Sequence, residues 1–198
     1  MFTILTRTSN RPAFFAECRR SIRAQTLPAS WIVSRDNPHD TYMYDDPAPD
    51  VVVEMNQEAG RGHNLYFNTM RRYVTSSAPW LIHLDDDDRF SHPEALAKIS
   101  AHISSENDLI LWRVKTPGRI IPERIGEPPR FGEITGIGFC VHARWWKPWQ
   151  AVAGGDFLVI DHYYRTLNPV WIDEVLTEFQ AGAGGGARLD KTVYHFFA

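Results

Sequence analysis

Residues 80–89, Trp80-Leu81-Ile82-His83-Leu84-Asp85-Asp86-Asp87-Asp88-Arg89, run from a short apolar stretch straight into four consecutive carboxylates. The apolar part has the length and composition of a buried strand. Four like charges at its end repel one another and resist burial, so a fold that gathers them there needs a compensating cation. A hard divalent metal is the simplest one. Alternation along an extended chain puts Asp85 and Asp87 on one face and Asp86 and Asp88 on the other, so one pair can turn toward a ligand. Mg2+ or Mn2+ takes one or two carboxylates and completes its shell with water and phosphate oxygens, which points on to a nucleotide or a nucleotide-sugar diphosphate. A solvated acidic loop is the plain alternative. Against it stand the apolar strand before the run and, after it, Ser91-His92-Pro93-Glu94, a capping-box pattern with proline inside the first turn.

Working outward, strand and helix patterns alternate. Phe2 to Leu5 reads as a strand; Ser9, Asn10 and Pro12 signal a helix start, and Phe14, Phe15, Cys18 and Ile22 fall at helical spacing up to Leu27-Pro28. Trp31 to Val33 and Val51 to Val53 read as strands, and residues 62 to 74 as a helix with Leu65, Met70 and Tyr73 inward. Leu96, Ile99 and Ile103 give the helix after the acidic run its buried stripe, and Leu109 to Val114 reads as a strand. Such alternation implies right-handed crossovers and a mainly parallel, mixed sheet flanked by helices, the α/β class. Ligands in these sheets bind beyond the carboxyl ends of the strands, where the acidic run lies. Residues 115 to 135, rich in Pro, Gly and charge, read as a long loop. Gly136 to Val141 reads as a strand, Gly154-Gly155-Asp156 opens a helix with Phe157, Ile160 and Tyr164 on one face, and Val170 to Thr177 is a late strand. The glycine-rich stretch 181–187 is a loop without the spacing of a phosphate-binding or dinucleotide motif.

The chain has 198 residues, 43% of them hydrophobic, enough for one full core. A net charge of -3 with no basic cluster argues against nucleic-acid partners. No window approaches the roughly 18 apolar residues of a membrane span, and the start Met1-Phe2-Thr3-Ile4-Leu5-Thr6-Arg7 has no basic leader, so the expectation is a soluble, cytoplasmic protein. Cys18 and Cys140 have neither disulfide-framework nor metal-ligand spacing and read as buried thiols.

The order Thr3 to Pro12 ("TILTRTSNRP"), then Cys18 to Gln25 ("CRRSIRAQ"), Asp36, Asn64 to Asn68, and Leu84 to Pro93 ("LDDDDRFSHP") resembles family 2 glycosyltransferases of the GT-A fold. The resemblance is specific over about the first 105 residues. It implies one GT-A-like domain over 1–198, with a nucleotide-sugar-binding half in 1–105 and an acceptor and catalytic half in 106–198. It implies transfer of a sugar from a UDP-, GDP- or dTDP-sugar donor to a glycan or other hydroxyl acceptor, with Mn2+ or Mg2+ and inversion of the anomeric centre. By position, Asp85 and Asp87 match the family's DxD motif, with Asp87 the closer metal ligand and Asp85 toward the ribose and a metal water; Asp86 and Asn64 join the donor-binding set. Asp36, after the second strand, matches the acidic residue that faces the nucleoside, with Thr6 and Arg7 beside it; a turn residue before Pro38 is the alternative reading. Arg61 could reach the diphosphate. His195, in Tyr194-His195-Phe196, matches a late histidine brought back to the metal.

The family's catalytic base stands at the start of a helix beyond the acceptor strand, often as a Glu-Asp pair. Here the segment reads Gly154-Gly155-Asp156, so Asp156 stands alone as the candidate base, with Asp161 in reserve; a helix N-cap is its structural alternative. His83 reads as a hydrogen-bonded core histidine and His92 as a helix-start residue, while Trp145, Trp146 and Trp149 suit either a core or a sugar-stacking surface. Three other functions compete. A nucleotidyltransferase would show a glycine-rich, basic signature where Thr8 to Pro12 stand. A non-catalytic nucleotide-sugar or glycan-binding module is the second, and a two-metal phosphohydrolase, the third, would need carboxylates from several other segments facing the same point.

Overall fold

The computed structural model describes residues 1–55 and 62–182, and the side chains of all of these except 62 and 63. Among the described residues nine strands form one sheet: β1 Phe2–Thr8, β2 Ala29–Arg35, β3 Val51–Glu54, β4 Trp80–His83, β5 Asp88–Phe90, β6 Asp108–Thr116, β7 Arg119–Ile121, β8 Phe139–His142 and β9 Asn168–Phe179. Their order is β3-β2-β1-β4-β8-β6-β9-β5, with β7 paired to β6. The first four neighbours run parallel, as crossovers through intervening helical segments require. β8 then lies antiparallel between β4 and β6, and β6 pairs parallel with β9. The strand expected from Gly136 begins three residues later, at Phe139, and residues 115–135 contain a β6–β7 hairpin instead of one long loop.

Alternation along the strands sends side chains to two cores. Ile4, Trp31, Val33, Ile82, Ile110 and Trp112 point to the face covered by α1 (Pro12–Arg23) and α3 (Ala95–Ala101), which contribute Phe15, Cys18, Ile22, Leu96 and Ile99. Leu5, Ile32, Leu81, Leu109, Leu111 and Val141 point to the other face, under α2 (Tyr66–Met70) and α4 (Gly155–Thr166). Each residue step along a strand thus changes core, and burial of both faces explains the nearly unbroken apolar runs. Cys18 and Cys140 are buried free thiols, as expected. No helix among the described residues is long and apolar enough to cross a membrane.

Two helix expectations change. The 62–74 segment is a 3-10 turn (Gly62–Leu65), the short α2, and a second 3-10 turn (Arg71–Tyr73), with Tyr66, Phe67 and Met70 inward and Tyr73 exposed. The capping box before α3 does not form. Ser91 Oγ donates instead to the Val175 carbonyl at 2.6 Å, and the helix takes its cap from α1's end, where Gln25 Oε1 accepts from Leu96 N at 3.0 Å.

Candidate functional site

β4 ends at His83, and the next residues fold into a turn closed by Asp88 N donating to the Asp85 carbonyl at 3.0 Å. The turn stands at the carboxyl ends of β1 and β4, tied to β1 by Leu84 N to Leu5 O and Asp86 N to Arg7 O. Gln180, just past β9 and buried, fastens it from the other side: its Nε2 reaches the carbonyls of Asp86 (3.1 Å), Asp88 (3.2 Å) and Phe14 (2.9 Å), and its N donates to Asp87 O at 3.0 Å. Nothing in the sequence pattern singled out Gln180, because its role depends on a strand that returns ninety residues later.

The expected alternation holds in exposure. Asp86 and Asp88 are buried, whereas the side chains of Asp85 and Asp87 each keep 18% of their surface. Oxygens of Asp85, Asp87 and Asp88 all lie within 4.8 Å of one another, a cluster of hard donors suited to Mg2+ or Mn2+. Asp88 is the addition to the expected pair. Burial, and then the charges of Asp85 and Asp87, push its carboxyl well above the usual range; burial and Asp85 raise Asp87 as well. Burial and mutual repulsion thus disfavour ionised carboxylates here, and a divalent cation among them would offset both.

Two arginines share this charge. Arg7 Nη2 donates to Asp85 at 2.5 Å. Arg11, at the N-cap of α1, donates from Nε to Asp86 at 3.1 Å and from Nη1 to Asp87 at 2.8 Å. Asp86 also accepts from Thr8 Oγ1 at 2.7 Å; burial still lifts its carboxyl to about 7, against the opposing pull of Arg11. Asp86 was expected in the donor-binding set, but its side chain is fully enclosed, and its carboxylate accepts from Arg11 and Thr8. Sequence reasoning passed over Arg11, whose only signal was its place ahead of Pro12.

Thr6 is also interior: its Oγ1 accepts from Trp31 Nε1 at 2.9 Å, which leaves it no surface to offer a nucleotide. Asp36 follows β2 at the same sheet edge. Its Oδ2 accepts from Tyr66 OH at 2.5 Å, while its Oδ1 is buried with no hydrogen-bond partner among the described residues. Burial and the bond to Asp36 raise the Tyr66 hydroxyl pKa, so it remains a donor. Arg61 and His195 lie outside the described residues.

Asp156 lies in the first turn of α4. The N-cap is Gly154, at φ 69°, so Asp156 is not the cap; its Oδ1 accepts from Phe157 N at 2.9 Å. A side chain at Gly154 would strike the Phe131 ring, its Cβ 2.3 Å from Cε2. Burial raises the Asp156 carboxyl above its ordinary value, opposed by the backbone N–H groups of Phe157 and Gly136 and, more weakly, by the charge of Arg7. Asp161 sits elsewhere on α4, bonded to Arg165 at 2.8 Å. Asn64 joins the two halves of the edge: Oδ1 accepts from Arg7 Nη1 at 3.1 Å, and Nδ2 donates to the carbonyls of Gln150 (3.0 Å) and Val152 (3.2 Å) in the loop leading to α4. Both of its amide hydrogens are therefore engaged by protein.

His83 is in the core, as expected, but its ring makes no hydrogen bond among the described residues. Both ring nitrogens are buried and unpartnered, Phe67, Trp149, Phe139 and Trp146 surround the ring, and burial, then Arg7, lowers its pKa to about 3. Trp149 belongs to that core, whereas Trp145 lies at the surface and donates to the Glu106 carbonyl at 3.0 Å. His92 stands just before α3, as expected, with Nδ1 3.2 Å from Glu94.

No protein-family model matches the chain, and no curated protein matches it in sequence. Solved structures do. S. aureus TarS superposes with a TM-score of 0.74 over 91% of this chain at 16% identity, covering 36% of the TarS chain. TarS 1-349 in complex with UDP gives 0.74 over 91% of this chain at 17% identity, covering 60% of that chain. Mannosyltransferase PcManGT from Pyrobaculum calidifontis, in complex with GDP-Man and Mn2+, gives 0.63 over 93% of this chain at 15% identity, covering 58% of that chain. This chain thus spans between about a third and three fifths of the length of these structures, and it has the α/β fold they share.

Proposed function

We propose that this chain is a metal-dependent, inverting glycosyltransferase of the GT-A type, akin to family 2, that moves a sugar from a nucleoside-diphosphate donor to an acceptor hydroxyl. The observation that carries the reading is the convergence of Asp85, Asp87 and Asp88 at the carboxyl edge of the parallel strands, with α4 and Asp156 linked to that edge through Asn64 and Arg7. The complexes of TarS with UDP and UDP-GlcNAc and of PcManGT with GDP-Man and Mn2+ support a nucleotide-sugar donor on this fold, with UDP-, GDP- or dTDP-sugars as the class. The chain acts as one domain, residues 1–105 holding the donor and 106–198 the acceptor.

Asp85, Asp87 and Asp88 would hold Mn2+ or Mg2+, which when bound offsets the charge that builds on the departing diphosphate. Asp36 receives an N–H of the base on its unpartnered Oδ1. Asp156 takes the proton of the acceptor hydroxyl as that oxygen bonds to the anomeric carbon and the bond to the diphosphate breaks. Burial favours this transfer, because it holds the carboxylate's proton affinity above that of a solvated aspartate.

A thermal-shift panel of UDP-, GDP- and dTDP-sugars with and without Mn2+ tests the reading, since a ligand specific to the folded state raises its stability by mass action. Stabilisation by one nucleotide family, only with metal, supports it, as does release of the nucleoside diphosphate on turnover. Release of pyrophosphate would identify a nucleotidyltransferase, and inorganic phosphate a phosphohydrolase. Failure of every donor to bind with metal would overturn the proposal.

A further inference from the structure

Asn64 and Asn68 project from neighbouring turns and both hold the loop that precedes α4, in different ways. Asn68 makes a closed pair with one residue: Nδ2 donates to Trp149 O at 2.9 Å and Oδ1 accepts from Trp149 N at 2.8 Å. Its bonds end there. Asn64 faces both ways, taking Arg7 on its oxygen and giving its two N–H groups to Gln150 O and Val152 O. The amide is buried and packed against the start of α4 so closely that a Cβ on Gly155 would lie 2.8 Å from Asn64 Nδ2. Arg7, in turn, divides its two arms between Asn64 and Asp85. A continuous hydrogen-bonded path therefore runs Asp85, Arg7, Asn64, residues 150–152, and on to the turn that carries Asp156.

We infer that Asn64 is a positioning residue that couples occupancy of the carboxylate cluster to the placement of the helix start bearing Asp156, and not a ligand of the nucleotide. The inference rests on the donor-site reading above. The physical ground is that Arg7 cannot change its bond to Asp85 without loading or relaxing the one to Asn64, because a guanidinium is a rigid planar fork. A cation at Asp85 competes with that fork for the carboxylate and a diphosphate competes for the fork itself, and the change passes to the loop carbonyls through an amide with no spare donor. Coupling of this kind requires that one ligand alter a contact shared between two places, which the Arg7 fork supplies.

The test uses hydrogen exchange in the full chain, with Mn2+ plus UDP, GDP or dTDP as the probe, whichever binds, followed over residues 150–158. In the wild type, binding slows exchange there by about tenfold. Asn64→Asp keeps the acceptor for Arg7 but loses both donors. It should bind the same nucleotide within about threefold while the added protection at 150–158 disappears. Where that variant fails to fold, Asn64→Ala reads the same quantity. Asn68→Ala removes an anchor of equal size, so it should lower Tm yet retain the ligand-dependent protection, which separates coupling from support. Protection retained in an Asn64 variant, or absent in a ligand-bound wild type, overturns the inference. If none of UDP, GDP and dTDP binds with Mn2+, the donor reading itself falls and the coupling falls with it. The readout needs no turnover, so an error in the role of Asp156 would show separately in the kinetics.

Discussion

Arg11 Nη1 donates to Asp87 at 2.8 Å, so a guanidinium occupies one of the carboxylates proposed to hold the metal. A cation must displace or share that contact. The Arg11 side chain is about a third exposed, and such pairs contribute about 1 kcal/mol or less, a small obstacle to a divalent ion. Arg11→Gln should therefore bind Mn2+ alone more tightly, by up to about fivefold, and Asp87→Asn should bind it far more weakly. Electron paramagnetic resonance of free Mn2+ reads both. Weaker binding in Arg11→Gln would mean that the arginine supports the cluster and does not compete with the ion.

Asp36 offers a second, independent handle on the donor. Its Oδ2 is held by Tyr66 and its Oδ1 is buried without a partner among the described residues, and that oxygen is the proposed acceptor for a ring N–H. Asp36→Ala should lower affinity for a nucleoside monophosphate by about tenfold, the worth of one charge-assisted hydrogen bond, and leave pyrophosphate binding unchanged. Equal loss for both competitors in a calorimetric titration would make Asp36 a scaffold residue for α2.

Much of this arrangement was legible in the chain, and the reasons differ by element. β1, α1, β2, β3 and β4 follow directly from apolar runs and a proline at a helix start, because their apolar side chains are buried in the two cores wherever their partners lie in the chain. The acidic turn was legible because like charges at a strand end need a partner. What escaped depends on distant chain. The cap of α3 comes from Gln25, so the local Ser91-Glu94 pattern had no work left to do. Residues 62–74 break into short turns, with Asn64 and Asn68 spending their amides on residues 149–152. Gln180 and Arg11 act on the acidic turn from β9 and α1, at separations no periodicity records.

His83 gives a test of the core beneath the site. Folded, its pKa is near 3 against an ordinary 6.5, with both ring nitrogens unpartnered, so the imidazole stays neutral while the unfolded chain takes up a proton. Stability is thus fully present above about pH 6.5 and is lost as pH falls toward 3. His83→Phe removes this dependence and fits the aromatic surround of Phe67, Phe139 and Trp149. Relative to wild type it should gain about 2 kcal/mol more at pH 5 than at pH 8, from roughly 1.5 pH units at 1.36 kcal/mol each. Denaturant titrations at the two pH values measure it. An equal difference at both would show that the folded protein protonates His83 as readily as the unfolded chain.

Asp156 carries the chemistry in the proposed mechanism, and its environment makes a specific pH signature. The carboxyl is raised above 3.8, first by burial, and opposed by the N–H groups of Phe157 and Gly136. A general base works only when deprotonated, so the rate should fall as pH drops through this raised value, at a higher pH than a solvated aspartate would dictate. Asp156→Asn keeps an oxygen for Phe157 N and should fold and bind donor normally. Its turnover should fall by on the order of a hundredfold or more, and the remaining rate should lose the acidic limb of the profile. Asp161→Asn is the control: paired with Arg165 on another part of α4, it should change turnover little. Product NMR should show an anomer opposite to the donor's, since a single displacement by the acceptor oxygen inverts the centre. A retained anomer, or near-normal turnover in a folded Asp156→Asn protein, would remove Asp156 as the base and leave the carboxylate cluster as a binding site without its proposed partner.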